Sequence, residues 1–190
     1  VGIDVPGFGV PTHAEAKDVL SGAMLAYARA EAEAGPVPAP ESGRSDRPQL
    51  ALLGEMFPAD PMMIGAMLAP MGLAAGPVVP VREWRELYAA LGCGAVAAIH
   101  PFYTASVREF QAAGRPVFGS APVGVDGTAD WLAAVGDAFG VPAAQVAAAQ
   151  RGVAAVAVPG VEAIPVAALG QLPQPRIAQH PRRDDAAPAT

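Results

Sequence analysis

The residues able to do chemistry in this chain of 190 residues are few, and they fall at the ends of apolar runs. "GAVAAIHPFY" places His100, Phe102 and Tyr103 directly after a run that reads as a buried strand. An imidazole there can donate a proton or bind a metal ion, or it can simply hydrogen-bond to a backbone carbonyl at the strand end. Glu55 follows "QLALLG" in the same way, with Phe57 close behind. It is either a helix-capping or solvent-facing acid or a carboxyl held in a partly dry pocket. Phe57, Phe102 and Tyr103 either pack beneath the next helix or line an apolar, aromatic pocket suited to a flat ligand. His13 stands at the start of a helix, with the same two readings open. Cys93, in "ALGCGAV", falls at a helix-to-strand turn on the opposite edge of the sheet, where a lone cysteine reads as a packing residue.

The elements that must position these groups alternate. "VGIDV" is strand-like and runs into the loop "PGFGVPTH". Thr12 and Glu15 form a capping box for the helix "AEAKDVLSGAMLAYARAEAEAG", which stops at Gly35. Val19, Leu20, Ala23, Met24 and Tyr27 recur at helical spacing, predicting its buried stripe. "PVPAPESGRSDRP" reads as a linker. Beyond it come the strand "QLALLG", a helix entered through Asp60 and Pro61, an extended "AAGPVVPV" and the helix "REWRELYAALG". Next are "GAVAAI", the helix "TASVREFQAAG", the strand "RPVFGSA", a helix "TADWLAAVGDAFG" capped by Thr128, and a last helix "PAAQVAAAQRG". Continuous apolar strands between amphipathic helices predict an α/β fold, a parallel sheet covered on both faces. Ligands of such sheets bind at loops leaving the carboxyl ends of the strands. "EMFPAD", "HPFY" and "PVGVDG" all occupy that position.

Composition narrows the function classes. The chain is 52% hydrophobic and 16% charged, enough apolar residue for a true core, and its net charge of −6 with no basic stripe argues against nucleic acid. Apolar stretches are broken by Pro and Gly, so none reads as membrane-spanning, and no basic n-region precedes an apolar core. One cysteine excludes a disulfide or a cysteine-only metal site within this chain. Neither a P-loop nor a G-x-G-x-x-G fingerprint occurs, and no G-x-S-x-G elbow accompanies the three histidines. The strand-like start without a methionine predicts a fragment of a longer protein.

Two long segments, "LLGEMFPADPMMIGAMLAPMGLAAGPVVPVREWRELYAAL" and "AAIHPFYTASVREFQAAGRPVFGSAPVGVDGTADWL", carry a resemblance, and "DVPGFGVPTHAEAKDVLSGAMLAYARA" fits it upstream. Together they resemble the Y subunits of chlorophyllide a reductases, nitrogenase-like oxidoreductases of the nitrogenase component 1 type, over roughly residues 1–150. The resemblance implies Rossmann-like α/β domains, the end of one over 1–35 and a second over 49–150, with the Pro-rich linker over 36–48 between them. Where the resemblance stops, 151–190 is expected to be a divergent, largely disordered tail, and as no metal ligand position of the family matches Cys93, none is assigned. It implies reduction of the C7=C8 double bond of ring B of chlorophyllide a during bacteriochlorophyll synthesis, in the cytoplasm. Its partners would be the Z subunit, in a heterotetramer, and an ATP-dependent iron–sulfur reductase. A [4Fe–4S] cluster would belong to the full complex with ligands outside this chain, and ATP–Mg to the partner reductase. By the same resemblance the loops around His13, Glu55–Phe57 and His100–Tyr103 line a tetrapyrrole cavity. Phe57, Phe102 and Tyr103 would meet the macrocycle, and His100 would ligate its magnesium or donate a proton. This fragment alone is expected to be inactive. The competing expectation is a non-catalytic α/β module that binds a tetrapyrrole or a partner chain on the same loops.

Overall fold

Strand β1, Gln49–Leu53, shows why the chain layers as it does. Its side chains alternate between two separate apolar clusters: Leu50 and Leu52 enter one, Ala51 and Leu53 the other. A strand buried on both faces needs helices on both faces, and the continuous apolar runs provide for that. The computed structural model describes Gly2 and residues 13–40, 45–54, 60–100, 103–119 and 121–156. All its elements lie within one compact unit spanning residues 1–157.

The order is α1 (His13–Ala34), β1, α2 (Pro61–Leu68), β2 (Ala74–Val79), α3 (Arg85–Gly92), β3 (Ala95–Ala98), α4 (Thr104–Ala112), β4 (Val117–Gly119), α5 (Gly124–Phe139) and α6 (Ala143–Val156). The strands form a parallel sheet in the order β2-β1-β3-β4, with Leu53 beside Ala98 and Ala98 beside Gly119. This is the α/β architecture that the alternation of apolar strands and amphipathic helices predicts. β2, an edge strand, has an irregular register against β1 between Leu50 and Leu52 and carries Pro77.

On one face Ile64 and Leu68 of α2, Trp131, Leu132 and Val135 of α5 and Ala149 of α6 pack on Leu50, Leu52, Ala95 and Ala97. On the other, Leu25 and Ala28 of α1, Leu87 and Ala90 of α3 and Phe110 of α4 cover Ala51, Leu53 and Val96. Each fully buried Leu or Phe contributes about 1.5–3 kcal/mol relative to exposure. Asp60 caps α2 through its side chain, accepting from the Met62 amide at 2.8 Å with Pro61 beginning the helix, as its sequence predicts.

Three local expectations are corrected. α5 begins at Gly124, so Thr128 lies inside the helix and is buried, not at its cap. α3 begins at Arg85, after a turn in which the Glu86 carboxylate accepts from the Arg82 amide at 2.9 Å. In α1 the buried positions are Asp18, Ser21, Gly22, Leu25 and Ala28, whereas Leu20 is exposed and Val19, Ala23, Met24 and Tyr27 are half-buried. The buried face is rotated because two of its members, Asp18 and Ser21, are polar, and the Asp18 carboxylate is satisfied by α4. α6 runs on to Val156; residues 157–190, the greater part of the expected tail, lie outside the described residues, as do Thr12 and most of the chain before it.

α1 and α4 touch at backbone distance. A Cβ on Gly22 would stand 2.8 Å from the Ala105 Cβ and 3.2 Å from its carbonyl carbon. Only a residue without a side chain allows that approach. Gly22→Val should therefore push the helices apart and lower the stability of the chain by about 1–3 kcal/mol, read as a drop in thermal midpoint. An unchanged midpoint would show that α1 does not need this contact.

Candidate functional site

After β1 the chain turns to α2 on one face of the sheet; after β3 it turns to α4 on the other. The strand order therefore diverges between these two neighbours, and a crevice opens where parallel α/β sheets take their ligands. Gly54 and His100 stand on the two sides of this point. Pairing extends past the strands, with the Ile99 amide donating to Leu53 O at 2.9 Å and the Gly54 amide to Val79 O at 2.8 Å. Gly54 has φ +118°, and a Cβ placed on it would lie 2.4 Å from the His100 Cβ. Glycine is required there on both counts, and the turn after β1 starts directly alongside His100.

A cleft of about 720 Å³ lies at this carboxyl edge, between the end of β3, α4 and β4. His100, Thr104, Val107, Arg108, Gln111 and Phe118 are among its lining residues. His100 is half-buried, and its ring meets the Tyr103 ring edge-on, with centroids 5.5 Å apart and planes at 82°. Tyr103 is only 2% exposed and belongs to the same apolar cluster as Leu25, Leu53 and Phe110. It borders the cleft from within the core and fixes the imidazole from behind. His13, the first residue of α1, is exposed and not among the cleft residues. Glu55, Phe57 and Phe102 lie outside the described residues.

The α4 wall is held by a residue that periodicity does not reveal. Tyr103 occupies the N-cap position of α4 without a side-chain hydrogen bond. The cap comes from α1: the Asp18 carboxylate accepts from the Ala105 amide at 2.7 Å, the Ser106 amide at 2.9 Å and the Ser106 hydroxyl at 2.8 Å. The Thr104 hydroxyl adds a longer bond of 3.4 Å. Asp18 is 4% exposed, and its charge faces the positive end of the α4 dipole. Further along, Arg29 donates to Glu109 at 3.0 Å, tying the same helices at their partly exposed margin, and to Glu33 of its own helix at 3.0 Å.

Cys93 sits at the far edge of the sheet, next to Gly94, whose amide bonds to Gln49 O. Burial pushes its thiol up to about 11, with the Arg115 charge pulling weakly the other way. A single cysteine so placed does not fit as a ligand for an iron–sulfur cluster. Among the described residues no group of three or more His, Cys, Asp or Glu could hold a metal ion.

Two outcomes follow from these geometries. Asp18→Ala leaves two amides and two hydroxyls of the first α4 turn without their acceptor; it should cost about 2 kcal/mol and speed hydrogen exchange at Ala105 and Ser106. Unchanged protection there would show that α4 does not rely on this cap. Cys93 should react with iodoacetamide at pH 8 roughly 100-fold more slowly in the folded than in the denatured chain, since the thiolate fraction falls tenfold per unit. Because the folded thiol is the weaker acid, its contribution to stability is complete below pH 9 and fades as pH rises toward about 11.

Comparison with known proteins gives this cleft a context. Residues 1–159 match the family described as Nitrogenase component 1 type Oxidoreductase. The chain is 81% identical over 150 residues to a protein named chlorophyllide reductase 52.5 kDa chain from Cereibacter sphaeroides, covering 79% of this chain and 30% of that protein. It is 76% identical over 150 residues to the protein of the same name from Rhodobacter capsulatus, with the same coverage. A light-independent protochlorophyllide reductase subunit N from a Bradyrhizobium strain is 33% identical over 108 residues, covering 56% of this chain and 25% of that protein. The chain thus spans under a third of the length of these relatives. With its parallel sheet and a family match running from the first residue through the last described helix, this chain belongs to the nitrogenase component 1 type oxidoreductases.

Proposed function

We propose that this chain is part of the Y subunit of a chlorophyllide a reductase, and that its cleft forms one wall of the pigment cavity. The supporting observation is the identity to the two chlorophyllide reductase chains, which includes both strands and helices that build the cleft. On this reading residues 1–35 are the end of one Rossmann-like domain, 36–48 a linker, 49–150 most of a second and 151–190 a divergent tail. α1 is then a brace from the preceding domain onto α4.

Reducing the C7=C8 bond of ring B adds two electrons and two protons to the macrocycle. On this reading the residues of this chain bind the pigment; among the described residues none is a fitting cluster ligand, so electron delivery belongs to the other chains. Those chains are the Z subunit, in a cytoplasmic heterotetramer whose [4Fe–4S] cluster takes its ligands from outside this segment, and the ATP–Mg-dependent iron–sulfur reductase. The cleft wall is mostly apolar, which suits a flat chlorin; Phe118 borders it from β4, with its ring packed edge-on against Trp131 of α5. On the same reading Glu55, Phe57 and Phe102 are pigment-binding residues, and His13, which does not line this cleft, would meet the pigment from outside it. Tyr103 orients His100, which either donates a proton to ring B or ligates the central magnesium.

Substituting His100 in the assembled reductase separates these roles. As a proton donor, His100→Ala should lower turnover by roughly 10²–10⁴-fold while the bound pigment keeps its absorbance. As a magnesium ligand, the same change should weaken pigment binding and shift that absorbance, with a smaller effect on turnover. Turnover, affinity and spectrum all equal to those of the unaltered enzyme would remove His100 from the mechanism.

A further inference from the structure

The cleft carries one cation and, among the described residues, no carboxylate. Thr104, Arg108 and Gln111 stand at i, i+4 and i+7 on α4 and all line it. The neighbouring acid does not neutralise Arg108: Glu109 is turned toward α1, where it accepts from Arg29 at two nitrogens, 3.0 and 3.3 Å. The other positive feature of this helix is already taken. Its first-turn amides point to the Asp18 carboxylate behind the wall, so an anion entering the cleft cannot use them. What remains is a guanidinium with the Gln111 carboxamide beside it in a mostly apolar cleft, since the Thr104 hydroxyl is directed to Asp18 at 3.4 Å.

A ligand complementary to this arrangement is a flat apolar body with a single carboxylate on a short arm. Chlorophyllide has this form: it is a chlorin whose propionic acid side chain is free, whereas chlorophyll carries the same acid as an ester. Resting on the reading of function above, we propose that Arg108, assisted by Gln111, is the subsite that receives the propionate of the pigment. It orients ring B relative to His100 and discriminates the free acid from its esters. Arg108 acts as a binding and specificity residue and takes no part in proton transfer.

The test compares chlorophyllide a with its methyl ester in the full complex, using both KM for reduction and affinity from quenching of pigment fluorescence. With the unaltered enzyme the ester should bind roughly 10-fold more weakly than the acid, the loss of one charge-assisted contact. Arg108→Gln should weaken the acid by the same factor and leave the ester unchanged, so that the two effects do not multiply; Arg108→Lys should restore part of the preference. Equal affinities for acid and ester in the unaltered enzyme would overturn the proposal. So would an Arg108→Gln variant that loses affinity equally for both, the mark of a structural role. A complex that binds the acid in preference to the ester yet reduces neither would sink the functional reading and leave the carboxylate subsite standing.

Discussion

The Asp18 carboxylate, buried between α1 and α4, is the interaction on which the cleft depends. Placing a charge in a nearly dry interface is costly unless its lone pairs are filled, and here four donors from the first turn of α4 fill them. The arrangement does two things at once. It ends α4 at a defined residue, since no side chain of the helix's own entry turn can do so. It also fixes the direction in which the chain must leave β3, and so where Tyr103 and His100 come to rest. The Gly22–Ala105 contact brings the helices close enough for the carboxylate to reach.

The second constraint lies in the sheet. Gly54 and His100 occupy adjacent strand ends with no room between them for a methyl group, so the turns after β1 and β3 begin in contact and diverge onto opposite faces. A crevice at that point follows from topology alone. Its chemistry comes from what α4 adds: Thr104, Arg108 and Gln111 on the exposed side, with Phe110 and Ser106 turned inward to hold the helix on the sheet. One short helix thus presents a polar row to the ligand and an apolar row to the core.

Much of this was legible in the residues. "QLALLG" and "GAVAAI" announce strands buried on both faces, and Asp60-Pro61 announces the start of α2. The Gly- and Pro-rich turns place function at the carboxyl edge. The buried face of α1 was not legible, because counting apolar residues passes over Asp18 and Ser21, two polar positions that are buried beside Leu25 and Ala28. A charged residue inside the run "AKDVLSGAM" was the available signal, and it acquires meaning only with α4 alongside. The start of α5 was misjudged because Gly124 and Gly127 read as loop, whereas packing carries the helix through them. Arg108 was missed for a different reason: attention to loops overlooks a helix flank that forms one side of a cleft.

The edge of the sheet at β2 has its own consequence. Pro77 offers no amide hydrogen there, and the pairing of this strand with β1 slips within its length. At the opposite end β4 spans only Val117–Gly119. Among the described residues neither margin offers a long, regular template for a further strand, so on the proposed reading a partner subunit would meet this domain through side chains on its helices and turns. Such surfaces can be tuned one residue at a time, which lets a shared scaffold keep separate sets of partners apart.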